Sequence, residues 1–277
     1  MRLFFSAALA LFFFTCALYG QVRINELQAV NTSSYADMVD FEDYADWLEL
    51  YNTSATRLDL SNYYLTDNLN NPVKWPFPAG ASIAGNGYLV IWADQRDAGI
   101  GETHRRPYWP WTEFVTKSLH ANFKLSSAGE ELGLFYVAGG DTVAVDSLRF
   151  GRQAADVAWG HRADAPDQWA YFGDPTPGSA NATQPSTSLQ YAAAVAFSPA
   201  SAFSAAAHSI VLTTPSAEIY YSTDGSKPAK GAPTSALYRG PVLIEKNTLL
   251  KARAYAADRL PGPIKTQTYF VGEELSA

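Results

Sequence analysis

The sequence is short of the residues that staple a fold or ligate a metal. It has one cysteine in 277 residues, Cys16, and four histidines. A single thiol excludes a disulfide framework and a cysteine-based zinc site. His104, His120, His161 and His208 are scattered, with no His-x-x-x-His pair and no serine or cysteine nucleophile motif around them, so each reads as a local hydrogen-bonding side chain. Charged residues are also few, at 17%, which excludes a charge-rich disordered tail. The net charge is −7 and there is no long Lys/Arg run, so no basic face for nucleic acid is expected. Gly99-Ile-Gly101-Glu-Thr-His104 lacks the last glycine and the strand–helix setting of a dinucleotide fingerprint. Glu130 and Glu131, as strand neighbours, point to opposite faces and make no acid/base dyad.

Long apolar runs are missing except at the N-terminus. Arg2, the run from Leu3 to Phe14 and the smaller residues up to Gly20 have the form of an export signal over residues 1–20. The run is shorter than the ~20 residues that cross a bilayer. The mature chain is therefore expected to be exported (extracellular, cell-surface or periplasmic) with no membrane span. A lipid anchor at Cys16 is a second reading of the same segment.

What the sequence has in quantity is aromatics, at 14%, together with 19 glycines and 16 prolines, the composition of short strands and tight turns. Trp47-Leu-Glu-Leu-Tyr51 alternates. Tyr88-Leu-Val-Ile-Trp92 is an apolar run launched from Gly85-Asn86-Gly87. Leu132–Val137 and Thr142–Leu148 flank Gly139-Gly140-Asp141 as a hairpin. Residues 182–194 are small and polar and read as a linker. A second strand-rich block covers residues 195–272, ahead of a tail at 273–277. In its Thr248–Ala256 strand, Leu250, Ala252, Ala254 and Ala256 are expected to face in, and Lys251, Arg253 and Tyr255 out. The fold class is all-β: two immunoglobulin-like β-sandwiches in tandem, over residues 21–181 and 195–272, after the signal.

Ordered motifs sharpen the first block. Ile24-Asn-Glu-Leu27, Asp46-Trp-Leu-Glu-Leu-Tyr-Asn52, Leu58–Asp67, Lys74-Trp-Pro-Phe-Pro78, Gly87–Asp94, His120–Ser126, Gly129–Phe135 and Pro175–Asn181 resemble the lamin-tail domain in its bacterial exported form. That resemblance implies an immunoglobulin-like sandwich that mediates interactions and is not a catalyst. Ile219–Pro228, Tyr238-Arg-Gly-Pro241 and Leu249–Ala254 resemble the C-terminal domain of chitobiase and β-hexosaminidase-type proteins, another non-catalytic sandwich. The order of the two resembles the front half of exported proteins carrying a spore-coat-protein-H kinase-like domain. The chain accordingly reads as a binding, adhesion or scaffolding protein. The alternative is the accessory region of a larger exported enzyme, kinase-like or carbohydrate-active, truncated at residue 277.

Two stretches stand out as candidate sites. Asp37, Asp40, Glu42, Asp43 and Asp46 offer closely spaced oxygens of the kind that bind calcium. The run lacks a glycine for a sharp turn and fits no EF-hand loop, so a solvated acidic loop is the better fit and no cofactor is required. Arg105, Arg106, Tyr108, Trp109 and Trp111 sit in a long segment between motifs. Exposed there, the rings would stack on sugars or on a protein partner and the arginines would grip acidic groups. The opposing expectation is that both tryptophans fold back over the end of the sandwich. Asp46 is expected to turn the chain into its strand, and Trp47 to be either core or a platform facing a partner.

Overall fold

A computed structural model describes residues 20–272 except 201 and 216, and every regular element among them is a strand. The expected signal, all but its last residue, lies outside the described residues, as do Cys16 and the tail. The chain divides into two compact units: Met1–Trp169 with Pro175–Asn181, and Ala170–Asp174 with Ala182–Ala277.

In the first unit, strands run side by side in the order Leu119–Ala121, Tyr88–Ala93, Asp46–Asn52, Val22–Gln28 and Ala158–His161. Across the core lies a second sheet in the order Asp141–Phe150, Glu130–Ala138, Tyr63–Thr66 and Trp75–Pro76. The alternation of the sequence produces this sandwich. Leu48 and Leu50 point into a core shared with Ile24, Leu65, Ile91, Leu132 and Leu134. Each fully buried aliphatic chain there contributes about 1.5–3 kcal/mol. The turn before Tyr88 is the one the sequence indicates. Asn86 has φ 53°, and a Cβ on Gly85 would lie 2.1 Å from the carbonyl oxygen of Ala55.

The opposite face of the first sheet departs from simple alternation, because it is covered. A register shift between Ile24 and Glu26 breaks the period of the Val22–Gln28 strand, so Val22 and Ile24 face the core before the shift, and Leu27 and Ala29 after it. Glu26, Gln28, Trp47 and Glu49 lie on the other face and are also buried. Trp47 is therefore core. It packs with Trp92 and Ala158, and its indole N–H donates to Gln28 Oε1 at 2.7 Å. Residues 29–45 and 175–181 form this cover. The Asn31 amide donates to the carbonyls of Tyr35 and Ala45, and the Gly178 amide donates to Glu49 Oε2.

The second unit is also two facing sheets. One has the order Ala196–Ser198, His208–Thr213, Val242–Ile244. The other has the order Ala202–Ser204, Lys265–Val271, Thr248–Tyr255, Glu218–Ser222, Ala236–Leu237. Leu250, Ala252 and Ala254 face the core as expected. Arg253 and Tyr255 do not face solvent, however: they are 7% and 3% exposed. Asp174 covers them, accepting from Arg253 Nη1 at 2.7 Å and Tyr255 Oη at 3.2 Å, and Arg253 Nε donates to the Gly262 carbonyl at 2.7 Å. Residues 182–194 are not a free linker. Ala192 sits in this core, Gln184 Nε2 donates to the Ala256 carbonyl at 2.7 Å, and the Thr187 hydroxyl donates to Asp258 at 2.9 Å.

Candidate functional site

The long segment of the first unit forms a two-stranded arm. Thr103–Arg105 pairs antiparallel with Glu113–Val115, and residues 106–112 form its tip. At the tip Tyr108, Trp109 and Trp111 are 68%, 54% and 75% exposed, so the tryptophans do not fold back as a cap. They contact each other edge to face, with ring centroids 5.6 Å apart. Val115 on the arm, Ile100 just before it, and Met38, Val39 and Tyr44 on the acidic loop are exposed as well. Eight of the ten exposed large hydrophobic side chains described in the first unit thus come from these two segments.

The arginines split. Arg105 points outward, with only a 3.9 Å approach to Glu113. Arg106 turns inward, against the expectation that it meets a ligand. Its guanidinium donates to Glu42 and to the Asp40 carbonyl, and lies over the Phe114 ring. Phe114 meets Phe41 edge-on at 5.2 Å. The arm is therefore fastened to the acidic loop rather than hanging free.

Beneath the arm the five acidic residues separate. Asp37 Oδ1 and Oδ2 accept from the Asp40 and Phe41 amides at 3.0 Å, which makes the tight turn without a glycine; Glu42 takes positive φ instead, at 58°. Asp40 accepts from the Lys117 amide at 2.9 Å and the Ser118 amide at 2.8 Å. Glu42 pairs with Arg106, and Asp43 with Arg96 at 2.6 Å. Asp46 shares with Asp43 an open pocket of about 170 Å³ that Asp94, Arg96 and Lys124 also line. Burial raises its pKa to about 6 against the hydrogen bonds from the Asn31 and Leu125 amides. These five side chains take separate partners, and the loop is solvated only in part: Asp37 and Asp40 are buried, whereas Met38, Val39, Glu42 and Tyr44 are exposed.

The centre of the cluster is His120, which sequence reasoning passed over. Its ring is fully buried. Nδ1 lies 2.8 Å from Asp94 Oδ2, and Nε2 lies 3.3 Å from Asp40 Oδ2 and 3.9 Å from Asp37 Oδ2. Asp94 also accepts from Arg96 Nη1 at 2.5 Å, and Arg96 lies over the Phe41 ring at 4.0 Å. Among the described residues, Asp37, Asp40 and His120 are the group whose ligand atoms come close enough for a metal. Their atoms are already engaged: both imidazole nitrogens face carboxylates, and both carboxylates take backbone amides. The arrangement sets one imidazole against three carboxylates. Burial alone pushes the imidazole pKa down; the hydrogen bond and charge of Asp94, with Asp40 and Asp37 added, outweigh it and hold His120 above its ordinary value. The same bonds hold Asp94 below the ordinary carboxylate range in spite of burial. The parallel pairing of Leu119–Ala121 with Ile91–Ala93 puts His120 beside Asp94. No sequence period reports such a contact. The available signal was that both residues fall in the quoted motifs.

A second buried carboxyl pair lies on the covered face. Glu26 and Glu49 are cross-strand partners. Glu49 accepts from Asn25 Nδ2 at 2.9 Å and from the Gly178 amide, and burial lifts its pKa to about 7. The Thr176 amide lies near Glu26, but neither oxygen has a partner in standard hydrogen-bond geometry among the described residues. Burial, and then the charge of Glu49, raise it well above the carboxylate range. A Cβ on the facing Gly160 would lie 2.5 Å from Asn181 Nδ2, so the site is closed over. Glu130 and Glu131 have separate partners, the Ser126 amide and the Leu69 amide, as their opposite facing requires.

Comparison with known proteins finds a family model that matches part of each unit. No curated protein matches the chain. Residues 17–152, within the first unit, match the model of the Lamin Tail Domain family, and residues 210–269, within the second, match the model of the Fn3 associated family.

Proposed function

We propose that the chain is a non-catalytic, exported binding or adhesion protein whose first unit docks a glycan or surface protein through the aromatic arm. The observation that carries this reading is the exposure of Tyr108, Trp109 and Trp111 at the tip of an arm anchored by Arg106 and Phe114. Large aromatics on a fixed support give contact area at low entropic cost. The Lamin Tail Domain family, of non-catalytic immunoglobulin-like domains, supports it. Export rests on the form of residues 1–20, and the chitobiase-type resemblance of the second unit agrees with a glycan as partner. The test is a screen of glycans and matrix proteins with the parent chain and with Trp109→Ala/Trp111→Ala. Binding that is lost at unchanged melting temperature supports the reading. Binding that survives the double substitution removes the arm from it.

A further inference from the structure

We propose that Asp37, Asp40 and His120 bind a divalent metal ion of the zinc type, which ties the acidic loop to the strand that follows the arm. The two nitrogens of the imidazole are spaced differently from their carboxylates. Nδ1 lies 2.8 Å from Asp94 Oδ2, the length of a charge-assisted hydrogen bond. Nε2 lies 3.3 Å from Asp40 Oδ2 and 3.9 Å from Asp37 Oδ2, longer than bonds of that kind. Ligand atoms held about 2.0–2.2 Å from one zinc ion at tetrahedral angles lie roughly 3.3–3.6 Å apart. The Nε2 side therefore has the spacing of ligands around an ion, and the Nδ1 side that of a hydrogen bond. All three residues are buried, and their ligand atoms lie within 4.8 Å of one another.

The surroundings have the form that such an ion requires. A ligating imidazole is oriented by a carboxylate on its other nitrogen, and Asp94, itself held by Arg96 Nη1 at 2.5 Å, has that place. Ligating carboxylates are fixed by hydrogen bonds of their own. Asp40 Oδ2 accepts from the Ser118 amide at 2.8 Å, and Asp37 Oδ2 from the Phe41 amide at 3.0 Å. The Lys117 amide bonds mainly to Asp40 Oδ1, at 2.9 Å against 3.1 Å to Oδ2. A carboxylate oxygen has two lone pairs, so one amide leaves the other pair for an ion. Phe41 packs edge-on against the ring at 4.8 Å and supplies an apolar wall. Charge points the same way. Asp37, Asp40 and Asp94 surround the imidazole, and Arg96 pairs with Asp94 and with Asp43. An ion of charge +2 offsets the remaining two carboxylates, Asp37 and Asp40, and takes the place that a ring proton on Nε2 otherwise fills. One imidazole with two carboxylates suits zinc or a neighbouring transition metal better than calcium, whose ligands are oxygens.

The test needs no binding partner, so its failure is separate from a failure of the docking reading. The full chain is stripped with EDTA and titrated with zinc chloride by calorimetry at neutral pH. One bound ion per chain is expected. Asp37→Asn removes a ligand charge and keeps an oxygen for the turn; it is expected to weaken zinc binding by at least about tenfold. Asp94→Asn, which leaves the ligand set intact, is expected to weaken it about 10–100-fold through the imidazole that it orients. His104→Gln, outside the set, is expected to leave binding unchanged. X-ray absorption at the zinc edge of the parent chain reads the ligands without relying on any variant to fold, and one imidazole among oxygen ligands is expected. Absence of zinc uptake, uptake that Asp37→Asn and Asp94→Asn leave unchanged or that His104→Gln weakens, or a spectrum with sulfur or with more than one imidazole overturns the proposal.

Discussion

In the first unit Glu26, Asp37, Asp40, Glu49 and His120 are all buried, whereas the charged side chain buried in the second unit, among the described residues, is Arg253. The two handle that charge differently. Arg253 meets Asp174, which Lys227 also contacts at 2.6 Å from the solvent side, and its remaining donor goes to a backbone carbonyl. In the first unit the acids are compensated in part by an imidazole and in part by remaining protonated. The contrast lies in how burial acts: in the second unit the buried charge is a paired arginine, while in the first burial raises the pKa of Glu26 and Glu49, which have no permanent cation beside them.

The largest expected effect that separates the units is at Asp40. Asp40→Ala strips a partner from His120 and from two amides, and is expected to cost about 3–5 kcal/mol in urea unfolding of the first unit, as for other broken buried ion pairs. Arg253→Met in the second unit should cost less, about 1–3 kcal/mol, because Asp174 keeps Lys227 and only the Gly262 carbonyl loses its donor. If the two losses are equal, the contrast drawn here is wrong. Glu26→Gln acts in the other direction. It removes a carboxyl that the fold buries by keeping it protonated, at a cost that grows with pH, and it is expected to raise stability at pH 8 by about 1–2 kcal/mol while leaving pH 5 nearly unchanged. A loss at pH 8 would mean that Glu26 is ionised and paired. The smallest effect belongs to the arm tip, where Trp109→Ala/Trp111→Ala should change stability by less than about 0.5 kcal/mol. A larger drop would make those rings part of the core.

Much of the fold was legible. The strands at Trp47, Tyr88, Leu132 and Thr248 follow from period-two patterning, and the turn at Asn86 follows from its flanking glycines. The exposure of Trp109 and Trp111 agrees with their place in a long segment between motifs. What was not legible came from surfaces covered by distant chain. Alternation places Arg253 and Tyr255 outward correctly as a matter of parity, but parity does not say that Asp174 lies over them. The same holds for Glu26 and Glu49, buried on the back of a sheet by residues 175–181. His120 was missed because its partners are 80, 26 and 83 residues away in sequence, at Asp40, Asp94 and Asp37, and are brought together by a parallel strand pair. The acidic run was read by composition as a solvated loop, yet Asp37 and Asp40 are consumed by backbone amides that no composition reveals.

The most direct measurement is hydrogen exchange of core-strand amides in the full chain at pH 6.5 and pH 8.5. A carboxyl with a raised folded pKa keeps its proton where the unfolded chain has lost it, so its contribution disappears as pH rises through the folded value; this applies to Glu49, at about 7, and to Glu26. His120, raised for its part, stabilises fully below its ordinary value of 6.5, and that stability is lost as pH climbs through the folded value. His161, pushed down to about 4 by burial and the charge of Arg23, acts oppositely but only below pH 6.5. In the second unit the displaced groups, among them Tyr255 at about 12 and the lowered Asp224 and Asp258, do not change protonation in this interval. Protection of the Val22–Gln28, Asp46–Asn52 and Tyr88–Ala93 strands should therefore fall between the two pH values while that of Glu218–Ser222 and Thr248–Tyr255 holds. Equal change in both units, or greater protection of the first unit at pH 8.5, would contradict the account.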